Sequence, residues 1–168
     1  VSDGLGSAKK SEIGAKEAVE TAVQTWKTII FEKNSEEIDY EQVLKEIISS
    51  SRQALEKRAK KDKCDLDDLA CTLIVALGYK DNLCIAHIGD GAVVAKRDQE
   101  LLIASEPGES EYINEVVPLT SKNWKFHLRI TKKISDIECA AIFTDGCQRA
   151  SLLKTQFGLQ PYDLFFNP

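Results

Sequence analysis

The stretch Leu69-Ala70-Cys71-Thr72-Leu73-Ile74-Val75-Ala76-Leu77, followed after a short gap by Leu83-Cys84-Ile85-Ala86-His87-Ile88, decides the fold class. Both runs are short, apolar and rich in strand formers. Asp81-Asn82 between them is a turn signal. Gly89-Asp90-Gly91 is a second tight turn, leading into Ala92-Val93-Val94-Ala95. Arg97 to Glu100 turn again before Leu101-Leu102-Ile103-Ala104. Connections this short cannot cross between parallel strands, so residues 69–104 are predicted to form an antiparallel meander.

Working back toward the start, the period changes to that of a helix. Ile13, Ala15, Ala18, Val19, Ala22, Val23, Trp26, Ile29 and Ile30 form one apolar stripe opposite Lys16, Glu17, Glu20, Gln24 and Lys27. This predicts a core-packing helix over Ser11–Glu32. A second helix starts at Asp39, a capping residue with Gln42 three positions on and Ile38 placed to staple against Val43. Its buried stripe is Leu44, Ile47, Ile48 and Leu55. Arg52, Lys57, Arg58, Lys60, Lys61 and Lys63 fall in its later turns, where cations favour the negative end of the dipole. With no aromatic residues interleaved for base stacking, this cluster reads as a solvated helix end.

Downstream, Ser105 to Asn123 is a long polar, acidic connection containing Pro107, Gly108 and Pro118, of the kind that is functional or mobile. Phe126, Leu128 and Ile130 alternate with His127, Arg129 and Thr131 as a half-buried strand, with His127 exposed. Cys139 to Phe143 is a strand ending at Thr144-Asp145-Gly146, and a helix is predicted over Cys147–Lys154. Helices and strands are therefore segregated, which predicts an α+β fold with the helix pair on a sheet face. A length of 168 residues is enough for one domain, residues 1–168, with a real core.

The net charge of −5 argues against a nucleic-acid binder, which carries a basic face, and suits a site that concentrates carboxylates for metals. None of the five cysteines forms a C-x-x-C pair. Cys71, Cys84 and Cys139 sit in apolar runs and read as reduced core thiols, pointing to the cytoplasm. No apolar run approaches the roughly 20 residues that span a bilayer. Trp26 reads as core, and Asp65, Asp67 and Asp68 as a solvated acidic connection.

Chemistry is offered by three Asp-Gly turns, Asp3-Gly4, Asp90-Gly91 and Asp145-Gly146, each beside an apolar strand-like run. Chance alone would give fewer than one such pair, although turn chemistry raises that expectation. Carboxylates at strand ends are natural ligands for Mg2+ or Mn2+. Two such ions held about 3.5–4 Å apart can orient a phosphate and activate water. Asp3 and Asp145, with Asp90 near them, are the candidate set, and the Gly4 carbonyl offers a further oxygen. His87, just before the Gly89-Asp90 turn, is open to a structural role or to one as general acid.

Five ordered blocks resemble the type 2C metal-dependent Ser/Thr protein phosphatases. They are VSDGLGS at 1–7, SEIGAKEAVE at 11–20, LACTLIVAL at 69–77, IAHIGDGAVV at 85–94 and AAIFTDG at 140–146. The likeness is greatest to the bacterial branch, although GDG followed by Ala92 stands where many members have GDS and Arg. The resemblance implies a four-layer α-β-β-α sandwich with two antiparallel sheets and metals at one end. It implies that Asp3 bridges two metals, Gly4 ligates through its carbonyl, Asp145 binds a core metal, and Asp145 with Asp90 holds a third ion more weakly. The implied reaction is hydrolysis of phosphorylated protein by a metal-bound hydroxide, with two or three Mg2+ or Mn2+ ions. Implied partners are a phosphoprotein and a cognate Ser/Thr kinase; neither nucleic acid nor membrane is expected, and the chain is expected to be monomeric. The 105–123 connection falls where members carry a substrate flap.

Members also carry strands before the VSDG block, with a phosphate-binding Arg and an acidic ligand pair, and a final strand with an Asp-Asn motif. Residues 1–168 contain neither. The resemblance therefore implies part of a longer enzyme or a degenerate member, and residues 1–168 alone are expected to be inactive and to bind metal weakly. A non-catalytic binding domain of the same fold, or an unrelated α+β domain whose Asp-Gly pairs are only turns, are the alternatives.

Overall fold

A computed structural model describes residues 1–32, 38–108 and 116–167. The part of the 105–123 connection between 109 and 115 lies outside the described residues. Helix α1 spans Ser11–Glu32 and α2 Tyr40–Asp62. The Asp39 carboxylate caps α2, accepting from the backbone N–H groups of Glu41 and Gln42 at 3.1 and 3.2 Å. Lys63 ends it in the left-handed region, a common helix stop. The two helices pack side by side, and Ser51 Oγ donates to the Ala18 carbonyl at 3.1 Å across their contact. Of the α1 stripe, Ala18, Ala22 and Ile29 are buried, whereas Val23 and Ile30 are about half exposed. The stripe is wider than the face that α2 and the sheet can cover.

Strands β1 (Leu73–Tyr79), β2 (Asn82–Ile88) and β5 (Arg129–Ile134) form one antiparallel sheet in the order β1-β2-β5. Strands β3 (Ala92–Arg97), β4 (Glu100–Ser105) and β6 (Cys139–Phe143) form a second, ordered β4-β3-β6. The predicted four-stranded meander is thus two hairpins in different sheets. Gly89-Asp90-Gly91 does not close a hairpin; it carries the chain from one sheet to the other. A short glycine-rich turn reads the same in either case. The first predicted strand also starts late, because Leu66–Leu69 forms a 3-10 turn.

Side-chain alternation sets the layers. Leu73 and Leu77 of β1 and Cys84, Ala86 and Ile88 of β2 face the helices, in a core with Leu44, Ile47, Ile48 and Leu55. Ile74, Leu83, Ile85, Val93, Ala95 and Ala104 fill the space between the sheets. The outer face of the second sheet, with Val94 and Phe143, is covered by Leu152, Leu159 and Phe166. These come from a closing unit of α4 (Asp145–Ser151), the hairpin β7 (Leu152–Thr155) and β8 (Gly158–Pro161), and α5 (Asp163–Phe166). The architecture is the expected α+β sandwich, helices on two sheets on a smaller outer layer.

Several local expectations are corrected. Trp124–His127 is a short helix, α3, and Phe126 is 91% exposed; β5 begins only at Arg129. The helix after Asp145 stops at Ser151, and Leu152 starts a strand. Cys139 is exposed, because the cluster covering the outer face of β6 does not reach its first residue. Arg52 is 8% exposed and not solvated; its Nη1 donates to the carbonyls of Leu119 and Ser121 at 2.7 and 3.2 Å. Among the described residues no helix is long and apolar enough to cross a membrane.

Candidate functional site

The three Asp-Gly turns arrive at one end of the sandwich by three routes. Residues 1–5 run antiparallel beside 70–74. Val1 and Ile74 exchange both backbone hydrogen bonds, at 2.8 and 2.9 Å, and Gly4 bridges Cys71. Asp3 is held from both sides by one residue: its N–H donates to Thr72 Oγ1 at 3.0 Å, and its carbonyl accepts from the Thr72 N–H at 2.8 Å. The Val1-Ser2-Asp3 segment therefore behaves as a short strand delivering a carboxylate to the sheet end.

Asp90 is delivered by the crossover turn. Gly89 has φ +112°, and a Cβ placed there would lie 2.5 Å from Thr72 Cβ and Cγ2, so only glycine lets the turn close on Thr72. At Gly91 a Cβ would come within 2.6 Å of both Ile74 Cδ1 and the Phe143 carbonyl, so the absence of a side chain lets the two sheets meet. Thr72 thus touches both turns, on its polar side Asp3 and on its methyl side Gly89.

Asp145 opens α4, with Thr144 as its N-cap residue. The helix is tied back to the crossover by Gln148, whose Nε2 donates to the Asp90 carbonyl. Asp145 is exposed, whereas Asp3 and Asp90 are half-buried.

Electrostatics shows that the three acids share one region. Burial pushes the Asp90 carboxyl above the usual carboxylate range. A hydrogen bond to its own backbone opposes this, while the charges of Asp145 and Asp3 raise it further. Carboxylates gathered around Asp90 in this way could serve as donors to a hard cation. Yet among the described residues no three His, Cys, Asp or Glu side chains stand close enough together to enclose an ion. Asp90 feels the fields of the other two acids, but the described residues form no closed coordination shell.

His87 is fully buried and points between the sheets, where its Nδ1 lies 2.8 Å from Ser105 Oγ. Burial, with the neighbouring Arg129 charge, pulls it down to about 3. It is therefore neutral near pH 7 and sealed from solvent, an environment that fits the structural of its two readings.

The sequence did not single out Thr72, Arg129 and Gln148. A threonine inside an apolar strand run was the one visible signal for Thr72. Alternation alone places Arg129 opposite the apolar face of a half-buried strand, but β5 lies in a sandwich between the helices and the second sheet. Leu128 and Ile130 pack toward the helices, while Arg129 Nη2 reaches the Gly89 carbonyl at 3.1 Å.

The family model for protein phosphatase 2C matches residues 1–168. Among solved structures, the chain is similar to a stage II sporulation E family protein from Thermanaerovibrio acidaminovorans. That match has a TM-score of 0.60 and 16% identity, covering 88% of this chain and 75% of the other, which is a likeness of fold. No curated protein matches the chain. With the family model matching from first residue to last, and the sandwich shared with that solved structure, the chain belongs to the protein phosphatase 2C family.

Proposed function

We propose that the protein is a metal-dependent protein Ser/Thr phosphatase that hydrolyses phosphomonoesters on phosphorylated cytoplasmic proteins. The observation that carries this reading is the meeting of Asp3, Asp90 and Asp145 at one end of the sandwich, where the other two raise the proton affinity of Asp90. Their chemistry fits a hard divalent cation, Mg2+ or Mn2+. Asp3, the Gly4 carbonyl, Asp145 and Asp90 would hold it. A cation there supplies Lewis acidity to a phosphoryl oxygen and lowers the pKa of water.

The chain's own residues do the positioning. Thr72 fixes the Asp3 backbone, and Gln148 joins α4 to the Asp90 carbonyl. Burial and the neighbouring acids favour the protonated form of Asp90, and a cation held there would compete with that proton. His87 holds Ser105 and takes no part in proton transfer.

The test is phosphate release from a phosphothreonine peptide by the full-length protein, with and without Mn2+. The expected result is activity that requires Mn2+ and falls at least about 100-fold in Asp145→Ala. Equal activity in Asp145→Ala, or no metal-dependent hydrolysis at all, counts against an enzyme.

A second reading, a catalytically degenerate domain that binds a phosphoprotein, is favoured by one observation: no three potential ligands among the described residues enclose an ion. Phosphopeptide binding that survives both chelation and Asp145→Ala, without turnover, supports it.

A further inference from the structure

The Gly89 carbonyl is held twice. It accepts from the Gly108 N–H at 3.1 Å and from Arg129 Nη2 at 3.1 Å. One bond comes from the segment that leaves β4, the other from the adjacent sheet strand β5. Position 108 is also tight, since a Cβ there would lie 2.8 Å from the Gly89 oxygen and 3.5 Å from Arg129 Nη1. Arg129, Gly89 and Gly108 therefore form one clamp immediately before Asp90.

The arginine is an unusual occupant of this place. It sits opposite His87 in the β2–β5 register, and its Nε, like His87 Nε2, is buried with no partner among the described residues. A guanidinium between two sheets loses hydration that an aliphatic residue would not miss. Packing alone does not call for it; a donor aimed at the Gly89 carbonyl does. Glu106 lies near enough to offset part of the burial acting on the Arg129 charge. The clamp thus joins three separate pieces of chain: the crossover turn, the exit of β4 and the start of β5.

We propose that Arg129 is a positioning residue for the metal site, its guanidinium fixing the Asp90 turn through the Gly89 carbonyl and tying that turn to the 105–108 segment. The role in metal binding rests on the phosphatase reading; the clamp itself does not. Outer-shell partners of this kind commonly set how well a ligand turn is presented to its ion.

The experiment compares wild type with Arg129→Gln, Arg129→Ala and Arg129→Lys in the full-length protein. Backbone hydrogen exchange is followed without metal, and Mn2+ binding by calorimetry. Where turnover is present, kcat and KM for p-nitrophenyl phosphate are measured as well. The expected result is faster exchange at Asp90 and Gly108 in the Gln and Ala variants, confined to these segments. Mn2+ affinity falls about tenfold or more, with kcat at fixed subsaturating Mn2+ reduced more than KM is raised. Arg129→Lys, which keeps a charged donor, recovers most of the affinity.

Unchanged exchange at both segments overturns the clamp. Faster exchange with unchanged Mn2+ affinity overturns the positioning role. A wild type that binds no Mn2+ and hydrolyses nothing, while the variants still loosen both segments, supports the clamp and counts against the phosphatase reading instead. If Arg129→Ala proves unfolded, Arg129→Lys and Arg129→Gln carry the comparison.

Discussion

His87 places a weak base where it cannot take up a proton without exposing the inter-sheet space. Its native pKa of about 3 lies well below the usual histidine value, and burial is the main cause. Above the unfolded value, near 6.5, both states are neutral and the native state is not penalised. Between that value and about 3 the unfolded chain binds a proton that the native chain refuses, so stability falls as pH drops. The limiting slope is about 1.4 kcal/mol per pH unit. Denaturant titration of His87→Gln at pH 7 and pH 4.5 is expected to show a loss on acidification smaller by close to one proton's worth. An identical acid loss in wild type and variant would show that His87 is protonated in the fold. The residue was conspicuous in the sequence because it precedes Gly89-Asp90. Its burial was not, because nothing local says that the following turn leads into a second sheet lying over it.

At the level of elements, Arg52 shows how a surface-looking residue becomes a tie. Helix α2 presents it to the 119–121 segment, where its Nη1 bonds two carbonyls and its Nε bonds Glu56 at 2.9 Å. The Leu119 N–H in turn donates to the Cys71 carbonyl at 2.8 Å, so the segment is fastened on both sides. Arg52→Met is expected to destabilise the protein by about 2–4 kcal/mol, because buried carbonyls lose a charged donor. Thermal or urea unfolding checks this, and a change under about 0.5 kcal/mol would mark the contact as incidental. Helices α1 and α2 were legible because their apolar periods and the Asp39 cap are local signals. Both hairpins were legible for the same reason. What escaped was pairing between distant pieces: β5 beside β2, β6 beside β3, and the side chain of Arg52 on residues 119 and 121. Each depends on which faces end up covered, and alternation along one strand cannot report that.

For the whole molecule, the governing fact is that three like charges converge at one end of a sandwich whose other layers are apolar. In the metal-free protein the folded state disfavours ionised Asp90, whose carboxyl is raised chiefly by burial. That group's stabilising contribution is complete below its unfolded pKa and is lost as pH rises through the higher folded one. Asp90→Asn is therefore expected to raise the unfolding midpoint of the metal-free protein at pH 7, and to diminish the further rise that the proposed Mn2+ binding predicts for wild type. Differential scanning calorimetry with and without Mn2+ separates the two effects; a lower midpoint in the metal-free variant would contradict the strain. The acids themselves were readable as Asp-Gly turns, but their meeting was not, since it depends on the crossover and on a residue with no charge. Thr72 gives the Asp3 N–H an oxygen and sets its methyl group against Gly89. The two acidic turns consequently share a single gauge block, and substitutions in it should be separable by function. Thr72→Val keeps the block's thickness and is expected to disturb Asp3 alone. Thr72→Ser keeps the bond and is expected to slacken the Asp90 turn alone, which exchange at the Asp3 and Asp90 amides would read out. A neutral side chain thus acts as the ruler between two acidic turns, and one shared spacing ties the fate of both.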